Sequence, residues 1–168
     1  MIRPPLSLIA AALAVLLGMA GLVRGSIPQS AAASSPASQT APIVIGGAYV
    51  REPANDVNAA AYFTVFNTTD SADVLTSVTT GAGAVAGLHT DTADGAMVAM
   101  ADGLTIPAHS SVRLSPGKGH VMIEKLYGPL KPGQTVNMRL DFAKAGQLLV
   151  TAPVIAIAAP APTAVAPK

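Results

Sequence analysis

Short segments in which apolar and polar residues alternate, separated by turn residues, are the feature of this sequence that most restricts its fold. Segments such as NAAAYFTVFN, SSVRLS and QTVNMRLDF place every second side chain on one face, as in a strand with one buried side. Gly, Pro and Asp turn signals separate them at Asp94-Gly95, Asp102-Gly103, Ser115-Pro116-Gly117 and Lys131-Pro132-Gly133. The pattern predicts roughly seven to nine short strands, no helix, and an all-β Greek-key antiparallel sandwich or small barrel.

An apolar segment near the N-terminus predicts export from the cytoplasm. Residues 6–23 carry no charge and lie between Arg3 and Arg24. This arrangement is typical of a secretory leader, and the segment is also just long enough to span a bilayer. We therefore expect residues 1–24 to be either a signal peptide or a retained signal anchor, with the rest of the chain in the periplasm or on the outer face of the cytoplasmic membrane.

The sequences on either side of the strand-rich region differ from it in composition. Residues 25–42 are rich in Ala, Ser and Pro, residues 157–168 are rich in Ala and Pro, and both segments are poor in large apolar side chains. Segments of this kind bury too little apolar surface to fold alone, so we expect a disordered linker and a disordered Ala/Pro-rich tail. One folded domain is predicted between them, over residues 43–156.

Charge and residue usage exclude several classes of function. The chain has ten Lys or Arg and nine Asp or Glu residues, and it shows no basic stripe suited to nucleic acid. It has no GxSxG, GxGxxG or GxxxxGK[ST] motif, and its acidic residues lie mostly in turns, so we expect no enzyme activity. The absence of Cys excludes disulfides, thiol nucleophiles and thiolate metal sites, including the His₂Cys centre of blue-copper proteins.

A small set of His and Met residues is the remaining candidate for chemistry. His120 and Met122 lie two positions apart in KGHVMIEK, so in a strand they share one face, about 7 Å apart along the backbone. His89 lies near the end of a predicted strand in AGLHT, and Met100 ends AMVAM. Two imidazoles and two thioethers form a soft, neutral donor set that suits Cu(I), whereas zinc more often recruits Cys or carboxylate. From these residues alone, a copper site and a set of packing residues both remain open.

The order of the segments resembles the PCuAC family of bacterial extracytoplasmic copper(I) chaperones. The resemblance extends over about residues 44–155, from AAYFTVFNTTD through GLHT, DGAMVAM and LTIPAHSSVRLSPGKGHVMIEKLYGPLKPGQ to QLLVTAPV. The family pattern is a His, about ten residues, a Met, about twenty-one residues, and His-x-Met. The resemblance implies a cupredoxin-like β-barrel that binds Cu(I) and delivers it to a copper enzyme, typically the CuA centre of cytochrome c oxidase.

The resemblance also implies a ligand set, which is His89, Met100, His120 and Met122. Nineteen residues separate Met100 from His120, which we attribute to a shortened turn at Asp102-Gly103. The family's usual Met-x-Met has become Met97-Val98-Ala99-Met100, and residues three apart face opposite sides of a strand. We select Met100 because it keeps the family's interval from His89, and Met97 is the alternative.

The implied partner is a copper-accepting protein, either a cytochrome c oxidase subunit or another copper chaperone. We expect a monomer that binds no nucleic acid, with residues 6–23 as a membrane tether if they are retained. The low net charge predicts weak electrostatic steering, so docking is expected to use local patches around Pro116, Tyr127 and Pro129.

Two other functions stay open on the sequence. One is an exported β-sandwich used for adhesion or partner binding, without metal, and the other is a cupric or zinc reservoir. The remaining His and Met residues have structural interpretations. We expect His109 to be solvated after a turn, Met138 to lie in the core, and Met19 to belong to the export segment.

Overall fold

The computed structural model describes residues 42–167. The predicted export segment, with Met19, and the predicted linker up to residue 41 lie outside the described residues. No helix in the described part of the chain is long and apolar enough to cross a membrane. Residues 42–167 contain ten strands and no helix, which confirms the all-β prediction.

The ten strands are β1 (Ile43–Arg51), β2 (Asn58–Asn67), β3 (Asp73–Thr80), β4 (Gly83–Asp91), β5 (Met97–Ala99), β6 (Leu104–Ile106), β7 (Ser110–Arg113), β8 (Gly119–Leu126), β9 (Thr135–Phe142) and β10 (Gly146–Ile155). The sequence pattern missed β6, because three residues are too few to show alternation.

The strands form one curled sheet in the order β5-β4-β8-β2-β1-β10-β9-β3-β6, and β7 pairs with β2 beside this path. Every pairing is antiparallel except that of β1 with β10, which is parallel and joins only at Val50↔Val154 and Arg51↔Ile155. The first and last strands are far apart in sequence, so no short hairpin forces them to be antiparallel. This parallel pairing of β1 with β10 departs from the antiparallel prediction.

The core fills the inside of the curl. Its largest fully buried side chains are Phe63, Leu75, Ile106, Ile123, Met138, Leu140, Val50, Val65, Val121 and Val154. Met138 is therefore a core residue, as predicted. Because side chains alternate along β8, burying Val121 and Ile123 leaves His120 and Met122 on the opposite, outer face.

Residues 156–167 form no strand or helix and lie against β1. The Arg51 guanidinium donates hydrogen bonds to the carbonyl oxygens of Ala156, Ile157 and Ala159, at 3.1, 3.1 and 2.6 Å. Further along, Ala164 approaches a bulge in β1 so closely that a Cβ added to Gly47 would stand 3.0 Å from its backbone nitrogen. The tail therefore follows the domain surface from the end of β10.

Candidate metal centre

His89 and His120 face each other across adjacent strands. The antiparallel register of β4 and β8 pairs them directly, and paired residues project to the same side of a sheet. Their rings are stacked, with centroids 5.7 Å apart and planes 14° from parallel. Two imidazoles that are distant in the sequence therefore meet on the outer face of the sheet.

Met122 lies on the same face, two residues beyond His120. Its cross-strand neighbours are Gly87 on β4 and Ala60 on β2, which both leave room around the thioether. The His89 ring leans over Gly87, since a Cβ at that glycine would stand 3.3 Å from Cε1 of His89. The sequence analysis did not identify Gly87. Its only signal in the sequence is its position two residues before the candidate ligand His89.

Both imidazoles are held through Nδ1. Nδ1 of His89 lies 3.2 Å from the carbonyl oxygen of Gly87, and Nδ1 of His120 lies 3.3 Å from Oδ1 of Asp91. A carbonyl and an ionised carboxylate can only accept a proton, so Nδ1 carries the N–H in each contact. In the neutral ring this leaves the lone pair on Nε2, which is the nitrogen then free to bind a metal ion.

His120 is the more buried of the two and carries an unused polar atom. His120 is 4% exposed, and its Nε2 is buried without a hydrogen-bond partner among the described residues. Burial lowers the pKa of His120 from its usual value, the Asp91 carboxylate opposes that shift, and His89 adds to it. A buried, neutral imidazole with a free lone pair fits a soft cation, because the ion would satisfy the otherwise unpaired nitrogen.

Two tyrosines line the side of the site towards β1. The Tyr62 ring lies 6.3 Å from the His120 ring at a tilt of 58°, and Tyr49 stacks on Tyr62 at 5.1 Å. The Arg51 guanidinium lies 5.3 Å from the centre of the Tyr49 ring. Burial, followed by the neighbouring Tyr49 and Asp91, raises the pKa of Tyr62, so its hydroxyl stays protonated at neutral pH. These rings shield one flank of His120 from water.

The two candidate methionines of the β5 region lie on different sides of the sheet. β5 pairs Ala99 with His89 and Met97 with Asp91, so Met97 projects on the histidine side, where it is 56% exposed. Met100 is three residues beyond Met97, so its side chain faces the other side of the sheet and packs against the core. Its Cε lies 3.3 Å from where a Cβ on Gly119 would stand. The structure therefore brings His89, His120 and Met122 together, with Met97 at the edge and Met100 behind the sheet.

The third histidine lies in another part of the fold. His109 precedes β7, which pairs with the end of β2 remote from β8, and its Nε2 lies 2.6 Å from Oδ1 of Asp70. Its side chain is 62% exposed, which confirms the prediction that it is solvated. Among residues 42–167, no three His, Asp or Glu side chains are grouped to hold one metal ion.

The predicted docking patch divides between the two ends of β8. Pro116 lies in the turn before β8, at the end where His120 stands, whereas Tyr127 and Pro129 follow the other end of the strand. A strand of eight residues is about 26 Å long. Tyr127 and Pro129 therefore do not border the histidine pair, and only the Pro116 part of the patch is near it.

Sequence comparison places the chain in a family. A family model described as "Putative lipoprotein LpqE-like" matches residues 43–154. The chain belongs to this LpqE-like family. A relative from Leifsonia xyli subsp. xyli, described as "Putative lipoprotein Lxx21020", is 31% identical over 144 residues, which are 84% of each protein.

Solved structures with the same architecture are PCuAC domains. The copper-bound PCuAC domain from PmoF2 superposes with a TM-score of 0.60 and is 28% identical, covering 68% of this chain and 93% of that one. The solution structure of CuI-DR1885 from Deinococcus radiodurans has a TM-score of 0.56 and 35% identity, covering 70% and 80%. These matches confirm the resemblance to PCuAC domains and the cupredoxin-like fold of this LpqE-like protein.

Proposed function

We propose that this LpqE-like protein is an extracytoplasmic copper chaperone that binds Cu(I) at the His89–His120 pair and passes it to another copper protein. The observation that carries the proposal is the opposed pair itself, in which each Nδ1 already contacts an oxygen acceptor and each Nε2 is left to bind. The Cu(I)-loaded and copper-bound PCuAC structures among its neighbours support the choice of ion.

The proposed donors are His89, His120 and Met122, with Met100 as the fourth. Imidazole nitrogen is a neutral borderline donor and thioether sulfur is a neutral soft donor, and this combination favours Cu(I) over harder divalent ions. Met100 matches the family interval, but its side chain must leave the core face of the sheet to reach the ion. Met97 is the alternative, because strand register already places it on the histidine side.

The proposed activity is binding and exchange, with no chemical turnover. The site lies beside β5, the edge strand of the sheet, and all three β5 residues are exposed. A partner can approach there and replace the donors one at a time. The half-buried His89 would leave the ion before the buried His120, since water and partner ligands reach it first.

We propose a copper centre as the recipient, either the CuA centre of cytochrome c oxidase or a second chaperone, and a monomeric donor. The proposed location is the periplasm or the outer face of the cytoplasmic membrane. The family and the Leifsonia relative are described as lipoproteins, whereas these 168 residues contain no Cys to carry a thiol-linked lipid. Residues 6–23 are the proposed membrane tether of this chain, if they are retained.

The test is an anaerobic titration of the full chain with Cu(I) against a competing chelator. We expect one ion per chain, and at least about a hundredfold weaker binding in His120→Ala. His109→Ala is the matched control, since His109 lies outside the site, and it should bind like the parent. Absence of Cu(I) uptake by the parent would favour a metal-free partner-binding module, and tighter binding of Cu(II) or zinc would favour a reservoir.

A further inference from the structure

The Asp91 carboxylate contacts His120 from the neighbouring strand. Asp91 stands two residues beyond His89 on the same face of β4, and its Oδ1 is 3.3 Å from Nδ1 of His120. We propose that Asp91 is a positioning residue, which fixes the His120 tautomer so that Nε2 is the copper donor and supplies one negative charge beside the ion. This inference rests on the proposed copper-binding function.

The position of Asp91 is fixed by the backbone around it. Its N–H donates to the Lys118 carbonyl at 3.4 Å, and the Thr90 hydroxyl donates to the same oxygen at 3.2 Å. These bonds tie the end of β4 to the turn that leads into β8. The Asp91 side chain is only 19% exposed, so its carboxylate is held near His120 with little freedom to turn into solvent.

The hydrogen bond determines which nitrogen carries the proton. A free neutral imidazole can carry it on either nitrogen, and a ring protonated on Nε2 cannot bind a metal ion there. The carboxylate accepts from Nδ1 and so selects the tautomer with an open Nε2, which is the buried atom without a partner. Carboxylates that support ligating histidines in this way also make the imidazole a better donor.

The carboxylate also sets the charge of the loaded site. Two neutral imidazoles and two thioethers leave Cu(I) with its single positive charge, which the Asp91 carboxylate balances. Asp91 therefore stabilises the bound cation electrostatically without binding it directly.

The chain contains a matched control for this pair. His109 and Asp70 form another imidazole–carboxylate contact, through Nε2 at 2.6 Å, but both side chains are exposed, at 62% and 100%. Removing the Asp70 carboxylate should change the local His109 contact and leave copper binding as it is.

The experiment combines ring nitrogen NMR of the metal-free full chain with Cu(I) competition. In the parent, His120 should be protonated on Nδ1. Asp91→Ala should populate the Nε2-protonated ring and weaken Cu(I) binding about 10- to 100-fold. Asp91→Asn offers an NH2 group that can donate to Nδ1, so it should also populate the Nε2-protonated ring and weaken Cu(I) binding, while Asp70→Ala should match the parent.

Two results would overturn the assignment. One is an Asp91→Ala protein that keeps both the His120 tautomer and the parent affinity, and the other is lost affinity with an unchanged tautomer. If Asp91→Ala fails to fold, the inference is tested by Asp91→Asn, in which an unchanged tautomer together with the parent affinity would overturn it. A parent that takes up no Cu(I) would refute the proposed function, whereas the metal-free tautomer measurement would still decide whether Asp91 orients His120.

Discussion

His89 stands directly opposite His120 across the β4–β8 ladder, with the two rings stacked at 5.7 Å. The distance follows from the register, because directly opposite residues of an antiparallel pair have Cβ atoms about 4.5–5.5 Å apart. A shift of one residue would turn every β8 side chain to the other face and separate the pair. The core side chains Val121 and Ile123 hold that register by being buried on the inner face.

The fourth copper donor can be identified by replacing each candidate methionine with leucine. Leucine keeps the volume and apolar packing but removes the sulfur, so the fold should tolerate either change. We expect Met100→Leu to weaken Cu(I) binding at least about tenfold and Met97→Leu to leave it near the parent value. The measurement is chelator competition together with X-ray absorption, which counts sulfur donors. The reverse order of effects would make Met97 the ligand, as strand register favours.

Gly87 should prove necessary for copper binding although it has no donor atom. It faces Met122 across the ladder, and a Cβ there would stand 3.3 Å from Cε1 of His89. In Gly87→Val the added methyl groups displace the His89 ring, so we expect Cu(I) binding to weaken by about tenfold or more. The measurement is the same competition titration.

Gly81 offers the control for this substitution. A Cβ at Gly81 would meet no atom within 4 Å, so Gly81→Ala should bind copper like the parent. A Gly87→Val protein that folds and keeps the parent affinity would show that the His89 ring has another position from which it can bind. Equal weakening in both variants would point to general destabilisation.

Much of this arrangement could be predicted from the sequence, and the rest depended on pairing. Alternation identified the strands and placed His120 and Met122 on one face, because side-chain direction in a strand is a local property. Which residues oppose them is set by long-range register, so Gly87 and the role of Asp91 could not be found in this way. The parallel contact of β1 with β10 was missed for the same reason, and the three-residue β6 was too short to show a pattern.

Metal-free stability should fall as the pH drops below the usual His pKa. Burial lowers the pKa of His120 in the folded protein, so below about pH 6.5 the unfolded chain binds a proton that the folded chain does not. The contribution of His120 is fully present above that pH and is lost as the pH falls to the folded-state pKa. Urea unfolding of the parent at pH 7.5 and 5.5 should show this loss.

A glutamine variant isolates the contribution of His120. Because glutamine does not titrate, His120→Gln should lose less stability between the two pH values than the parent. His109→Gln is the control for the substitution itself, since His109 is largely exposed and lies outside the core. Identical pH dependence in the parent and in His120→Gln would mean that His120 does not govern this part of the profile.

Arg51 should hold the C-terminal tail against the domain. Its guanidinium donates to three tail carbonyls and lies over the Tyr49 ring, so Arg51→Met removes all these polar contacts while keeping much of the apolar stem. We expect faster hydrogen exchange over residues 156–159, with Cu(I) affinity within about twofold of the parent because the described tail contacts involve no proposed donor.

Lys131→Met, which removes an exposed contact to Glu52, is the control. Unchanged exchange in Arg51→Met would show that the approach of Ala164 to Gly47 is enough to hold the tail, and slower exchange would contradict any role for Arg51 there.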